Sequence, residues 1–90
     1  MLIKYFADVR QLSGCEDQPW TKAAPTLREL LEGLGAQHGA GFRERVFSGQ
    51  ELSPTIIILV NGHHVAHLQG LQTKLGPEDT VAIFPMVAGG

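Results

Sequence analysis

The sequence predicts an α+β fold of two layers, in which a mixed sheet is covered by one main helix. Three observations lead there. Leu27, Leu30, Leu31 and Leu34 fall at i, i+3, i+4 and i+7 and mark an amphipathic helix. Residues 55–60, TIIILV, form an unbroken aliphatic and β-branched run of strand length. Shorter strand-like runs lie at both ends of the chain. A lone helix among short strands cannot build the alternating layers of a doubly wound sheet, but it can cover one face of a mixed one. Ninety residues hold one such domain with one modest core. Function is therefore expected on a surface or at a chain end.

Each element has its own warrant. Residues 1–7, MLIKYFA, read as a strand that gives way to polar sequence at Asp8 and a turn around Leu12-Ser13-Gly14. Residues 15–22 read as a second, weak strand, suited to a sheet edge because Pro19 removes a ladder donor. Thr26 and Glu29 have capping-box spacing at the helix start. Gly33 and Gly35 weaken the second half of that helix, and Gly39 ends it near His38. Residues 40–54 are expected to be a loop or short helical turn pinned by Val46 and Phe47. TIIILV reads as a fully buried central strand, bounded by Pro54 and by an Asn61-Gly62 hairpin turn.

The chain then returns through HHVAHL, with Leu71 and Leu75 as further anchors, and turns at residues 76–79 into TVAIF. Pro85 cannot donate to a ladder, so pairing is expected to stop near Phe84. The expected order is β-β-α-β-β-β, with residues 1–85 as the domain and residues 86–90 as a projecting tail.

Composition excludes several function classes. A formal charge of −2, from 7 Lys and Arg against 9 Asp and Glu, offers no basic stripe for phosphates. Nucleic acid and membrane surfaces are thus not expected partners. No apolar run approaches the ~20 residues that span a bilayer, and the single cysteine, Cys15, suits a reducing compartment. The expected location is the cytoplasm.

Self-sufficient chemistry is hard to find. There is no phosphate-binding glycine loop and no paired-cysteine zinc spacing. Cys15 sits beside Glu16 and Asp17, the opposite of the electropositive setting that makes a nucleophilic thiolate. The pairs Glu16-Asp17 and Glu78-Asp79 lie beside turn residues and read as solvated charges. His63, His64 and His67 form a local cluster, but on an extended strand His63 and His67 would be ~13 Å apart with His64 pointing the other way. They read as solvated or interface histidines, and no metal site is expected.

What remains is the end of the chain. Pro85, Met86, Val87, Ala88, Gly89 and Gly90 follow an apolar strand, and the five residues after the proline make an arm that reaches up to ~17 Å. Lacking Cβ atoms, Gly89 and Gly90 allow close backbone approach in a narrow channel. Alone, two terminal glycines also describe a fraying end.

With those residues in view, the chain resembles the MoaD/ThiS-type ubiquitin-like sulfur carriers, most closely the small subunits of molybdopterin synthases. The likeness rests on Phe6-Ala7-Asp8-Val9-Arg10-Gln11-Leu12-Ser13-Gly14, on Pro25-Thr26-Leu27-Arg28-Glu29-Leu30-Leu31, on Val60-Asn61-Gly62, and above all on Asp79-Thr80-Val81-Ala82-Ile83-Phe84-Pro85-Met86-Val87-Ala88-Gly89-Gly90. The resemblance implies a β-grasp fold. It also implies that an E1-like adenylating enzyme of the MoeB/ThiF type uses ATP to adenylate the Gly90 carboxylate. Sulfur from a sulfurtransferase then replaces the adenylate, giving a thiocarboxylate. The chain itself binds no cofactor in this scheme and is a non-catalytic partner of a large subunit of the MoaE type.

By the same resemblance, Phe6 and Phe84 match two apolar docking positions, and His64 falls at a third. Ordinary core packing would also account for both phenylalanines. Met86 stands where a second proline is common. Sulfur delivery to thiamine or cysteine assembly, and conjugation to target lysines through Gly90, are the alternatives.

Overall fold

The computed structural model describes residues 1–86. Its backbone order is β1 (Leu2–Tyr5), α1 (Ala7–Ser13), β2 (Asp17–Pro19), α2 (Leu27–His38), α3 (Ala40–Val46), β3 (Phe47–Ser48), β4 (Glu51–Leu52), β5 (Ile56–Val60), β6 (His63–His64) and β7 (Thr80–Pro85), with single 3-10 turns at Val65–His67 and Gly70–Gln72. Five strands form a mixed sheet in the order β2-β1-β7-β5-β6, and β3 and β4 form a separate small hairpin. β7 is the middle strand, parallel to β1 and antiparallel to β5, and the other pairings are antiparallel.

The five expected strands are the five of the main sheet. β2 lies at an edge, as Pro19 requires. α2 begins as expected: Thr26 Oγ1 accepts from the Glu29 N–H at 3.3 Å, and Leu27, Leu30, Leu31 and Leu34 are fully buried. It stops at Gly39, whose N–H donates to the Gly35 carbonyl. Those leucines share one core with Ile3, Tyr5, Ile58, Val81 and Ile83 from the inner sheet face. The helix therefore lies across the sheet. Asn61 (φ 52°) and Gly62 (φ 84°) both take the left-handed conformation that a two-residue hairpin turn needs, and Val60 pairs with His63 across it.

Four expectations are corrected. Residues 7–13 are helical rather than polar turn, with Val9 buried and the Gly14 N–H donating to the Arg10 carbonyl. Residues 40–54 hold helix α3 and the β3–β4 hairpin; Val46 and Phe47 are buried there, joined by Phe42. β5 is not buried on both faces: Ile56, Ile58 and Val60 point into the core, whereas Ile57 and Leu59 stay partly open. It is an interior strand, between the middle strand β7 and the edge strand β6. Pairing continues past Phe84, since Pro85 faces Ile56 and Met86 donates its N–H to the Thr55 carbonyl at 2.8 Å.

Candidate docking face and the root of the C-terminal arm

Strand side chains alternate between faces. Burying Ile3, Tyr5, Val81, Ile83, Ile56 and Ile58 beneath α2 therefore sends Lys4, Ala82, Phe84, Ile57 and Leu59 to the opposite face. Register sorts these into rows. Lys4 pairs with Ala82, Ala82 with Leu59, and Leu59 with His64, while Phe84 pairs with Ile57. The centre of the outer face is thus apolar, with Lys4 on one flank and His64 on the other.

Phe6 joins it from the end of β1. Its N–H donates to the Ile83 carbonyl at 3.2 Å, and its ring stands edge-on to Phe84, centroids 5.9 Å apart. Ala7 then takes φ 54°, a left-handed turn that a residue with a Cβ adopts at a cost of about 1 kcal/mol. That turn diverts the chain into α1 and leaves Phe6 outside the core, 46% exposed. Phe6, Ala7, Leu59, Ala82, Phe84 and Pro85 line an open apolar hollow of about 430 Å³. Two larger hollows, each about 560 Å³, lie elsewhere, one beside Trp20 and Leu75 and one beside Asn61 and Asp79. In the second, Asn61 Nδ2 already donates to Asp79 Oδ1, and the Gly76 N–H to Asp79 Oδ2, which together hold the Asp79 carboxyl below its ordinary range, the Gly76 bond most.

The structure places the expected site residues unevenly. Phe6 and Phe84 meet on the outer face and are not core aromatics. His64 is half-buried at the end of the Leu59 row. Pro85 ends β7 and lines the hollow, and Met86 follows it, 52% exposed. Val87, Ala88, Gly89 and Gly90 lie outside the described residues.

The histidine cluster is arranged differently from an extended strand. β6 ends at His64, and the Val65–His67 turn brings the His64 and His67 rings to 5.7 Å, edge to face. His64 Nδ1 accepts from the Ala66 N–H at 3.0 Å and so caps that turn. Among the described residues, no group of three or more His, Cys, Asp or Glu side chains is placed to hold a metal ion. No helix among them is long and apolar enough to cross a membrane.

One polar cluster was not legible in the sequence. Gln18 Oε1 accepts from Tyr5 Oη at 2.6 Å and from His38 Nε2 at 2.8 Å, and Gln18 Nε2 donates to Gln37. Burial raises the Tyr5 phenol well above its ordinary range, with Cys15 adding to the shift, and burial lowers the His38 imidazole. The cluster joins β1, β2 and the end of α2. No local pattern could reveal it, because the residues bonded to Gln18 lie 13 to 20 positions away from it.

The ThiS family profile matches residues 3–90. The chain belongs to the ThiS family. As a ThiS-family chain it is a ubiquitin-like protein among the MoaD/ThiS-like sulfur carriers and small modifiers. It is 34% identical over 89 residues to small archaeal modifier protein 3 of Haloferax volcanii, covering 98% of this chain and 96% of that protein. A solved structure from Pyrococcus furiosus, assigned as molybdopterin converting factor, subunit 1, superposes with TM-score 0.72 at 31% identity, covering 96% of this chain and 95% of that one. CysO of Mycobacterium tuberculosis superposes with TM-score 0.81 at 26% identity, covering 96% and 98%. The expected β-grasp fold is shared with these proteins.

Proposed function

We propose that this ThiS-family chain carries sulfur as a thiocarboxylate on Gly90 and delivers it as the small subunit of a molybdopterin synthase. The observation that carries the reading is the continuity between the open apolar face of Phe6, Ala82, Phe84 and Leu59 and the point where the arm departs at Met86. A partner that grips this face has the arm within reach.

The chemistry follows from the poor reactivity of a carboxylate. An ionised carboxylate resists nucleophiles. When its oxygen attacks the α-phosphorus of ATP on an E1-like enzyme, pyrophosphate departs and an acyl-adenylate with a good leaving group results. A persulfide sulfur on a sulfurtransferase then displaces AMP to give an acyl disulfide, and a second thiol attacks its S–S bond, forming a new disulfide and releasing a thiocarboxylate whose sulfur can attack a substrate. Gly90 is a cosubstrate in this scheme, and the catalytic groups belong to the partners. The likeness to the Pyrococcus protein supports a large subunit of the MoaE type as the recipient.

A second reading is conjugation of the Gly90 carboxyl to target lysines, favoured by the near-full-length likeness to small archaeal modifier protein 3. One experiment separates the two. The full chain is incubated with an E1-like enzyme, ATP and a sulfur donor, and its intact mass is measured; carrier function exchanges one oxygen for sulfur. Loss of that sulfur on adding a large subunit and precursor pterin completes the synthase reading. No exchange, with lysine-linked adducts instead, replaces it by the modifier.

A further inference from the structure

The root of the arm is held by a chain of hydrogen bonds that lies apart from the docking face. Met86 donates its N–H to the Thr55 carbonyl at 2.8 Å. Thr55 is exposed and precedes β5, yet its side chain is fixed: Oγ1 accepts from Arg45 Nη1 at 2.9 Å and lies 3.0 Å from Ser53 Oγ. Arg45 is in turn anchored on α1, its Nε donating to Asp8 Oδ2 at 2.8 Å. Its side chain is 23% exposed, well covered for an arginine between two surface helices. One guanidinium thereby ties α1, α3, the turn before β5 and the root of the arm. Guanidinium donors stand in a planar fork, so the bonds to Asp8 and Thr55 fix those residues relative to one another.

We propose that Arg45 is a positioning residue for activation of the terminal carboxylate, acting through Thr55 on Met86. The inference rests on the carrier reading of Gly90 and adds to it a device for aiming. Acyl activation needs the carboxylate held in line with a phosphorus atom, and a shift of about 1 Å in such positioning costs up to a hundredfold in rate. Arg45 does not line the apolar hollow. Its loss therefore lowers the rate of the bound complex and leaves docking unchanged.

The test uses the full chain with Arg45→Met, which keeps an apolar stem and removes both donors, and with Thr55→Val, which removes the Oγ1 acceptor but keeps the carbonyl. Amide hydrogen exchange at Met86 is compared with that at Ile83 within β7. We expect exchange at Met86 to quicken about tenfold in either variant while Ile83 is unchanged. In activation by the E1-like enzyme, kcat is expected to fall about three- to tenfold with KM unaltered, and the double variant to be no worse than the weaker single one. Unchanged exchange at Met86, equal acceleration at Ile83, or a raised KM with kcat intact would each overturn the proposal. If the unsubstituted chain is never activated, the carrier reading fails, and the exchange comparison still decides whether Arg45 clamps the root.

Discussion

Gly33 and Gly35 sit two residues apart in the same helix, and their surroundings give opposite expectations for the same substitution. A Cβ at Gly33 would lie 2.7 Å from Trp20 Cζ2 and 3.1 Å from Cη2, closer than real carbons approach, and the indole is only 7% exposed and has little room to swing away. Overpacking of this kind costs about 1–3 kcal/mol, against a helix-propensity gain of about 1 kcal/mol for replacing glycine by alanine. Gly33→Ala is therefore expected to destabilise the fold by about 1 kcal/mol net. At Gly35 the nearest neighbour of a Cβ is Arg43 Cβ at 3.4 Å, an ordinary contact. There propensity wins, and Gly35→Ala is expected to add up to about 1 kcal/mol. Urea titration of both variants checks the pair; a gain at Gly33 or a loss at Gly35 would mean that contact distances do not set the sign here. Local sequence shows both glycines only as weak points of the helix, because the indole that needs the space at Gly33 comes from 13 residues earlier in the chain.

Between elements, the Tyr5–Gln18–His38 cluster makes a pH prediction whose sign can be worked out. Burial lowers the His38 value below the ordinary one. The folded state then binds fewer protons than the unfolded state between the two values, so stability rises with pH in that window. The full stability is present above the unfolded histidine value of about 6.5 and is lost as pH falls through it toward the folded value. We expect the urea midpoint to drop between neutrality and mildly acid pH, and the drop to shrink in His38→Gln. An unchanged slope in that variant would remove His38 as the cause. At this scale legibility followed from locality. α2 announced itself through Thr26 and four leucines, and Asn61-Gly62 announced the hairpin, because cap, stripe and turn are short-range features. α1 did not, because its one buried side chain is Val9, its N-cap Phe6 makes no side-chain cap, and partners such as Arg45 for Asp8 lie far along the chain. α3 hid behind Gly39 and Gly41, although Phe42 and Val46 at i, i+4 carried a helical signal.

For the molecule as a whole, the decisive fact is that, among the described residues, one helical layer covers only one face of the main sheet. An aliphatic run such as residues 55–60 cannot reveal whether its second face meets a helix or a partner, which is why β5 read as fully buried. The structure opens Ile57 and Leu59 beside Phe84 and Phe6, so these apolar groups do little for the fold and are free for docking. The two contributions can be separated by magnitude. Phe6 is 46% exposed, so Phe6→Ser forfeits only part of an aromatic side chain's burial, about 1 kcal/mol, as judged from a full value of about 1.5–3 kcal/mol. Central aromatic anchors of interfaces cost about 2 kcal/mol or more when truncated, roughly thirtyfold in affinity. Phe6→Ser is therefore expected to shift the urea midpoint slightly while weakening binding to the activating enzyme about thirtyfold, read as KM with kcat retained at saturation. Ile83→Ala, fully buried on the other face, should do the reverse: about 2–5 kcal/mol of stability lost, and unchanged affinity for whatever fraction remains folded. If both variants move stability and affinity in parallel, the outer face is an extension of the core, and the arm must reach its partner by contacts made elsewhere.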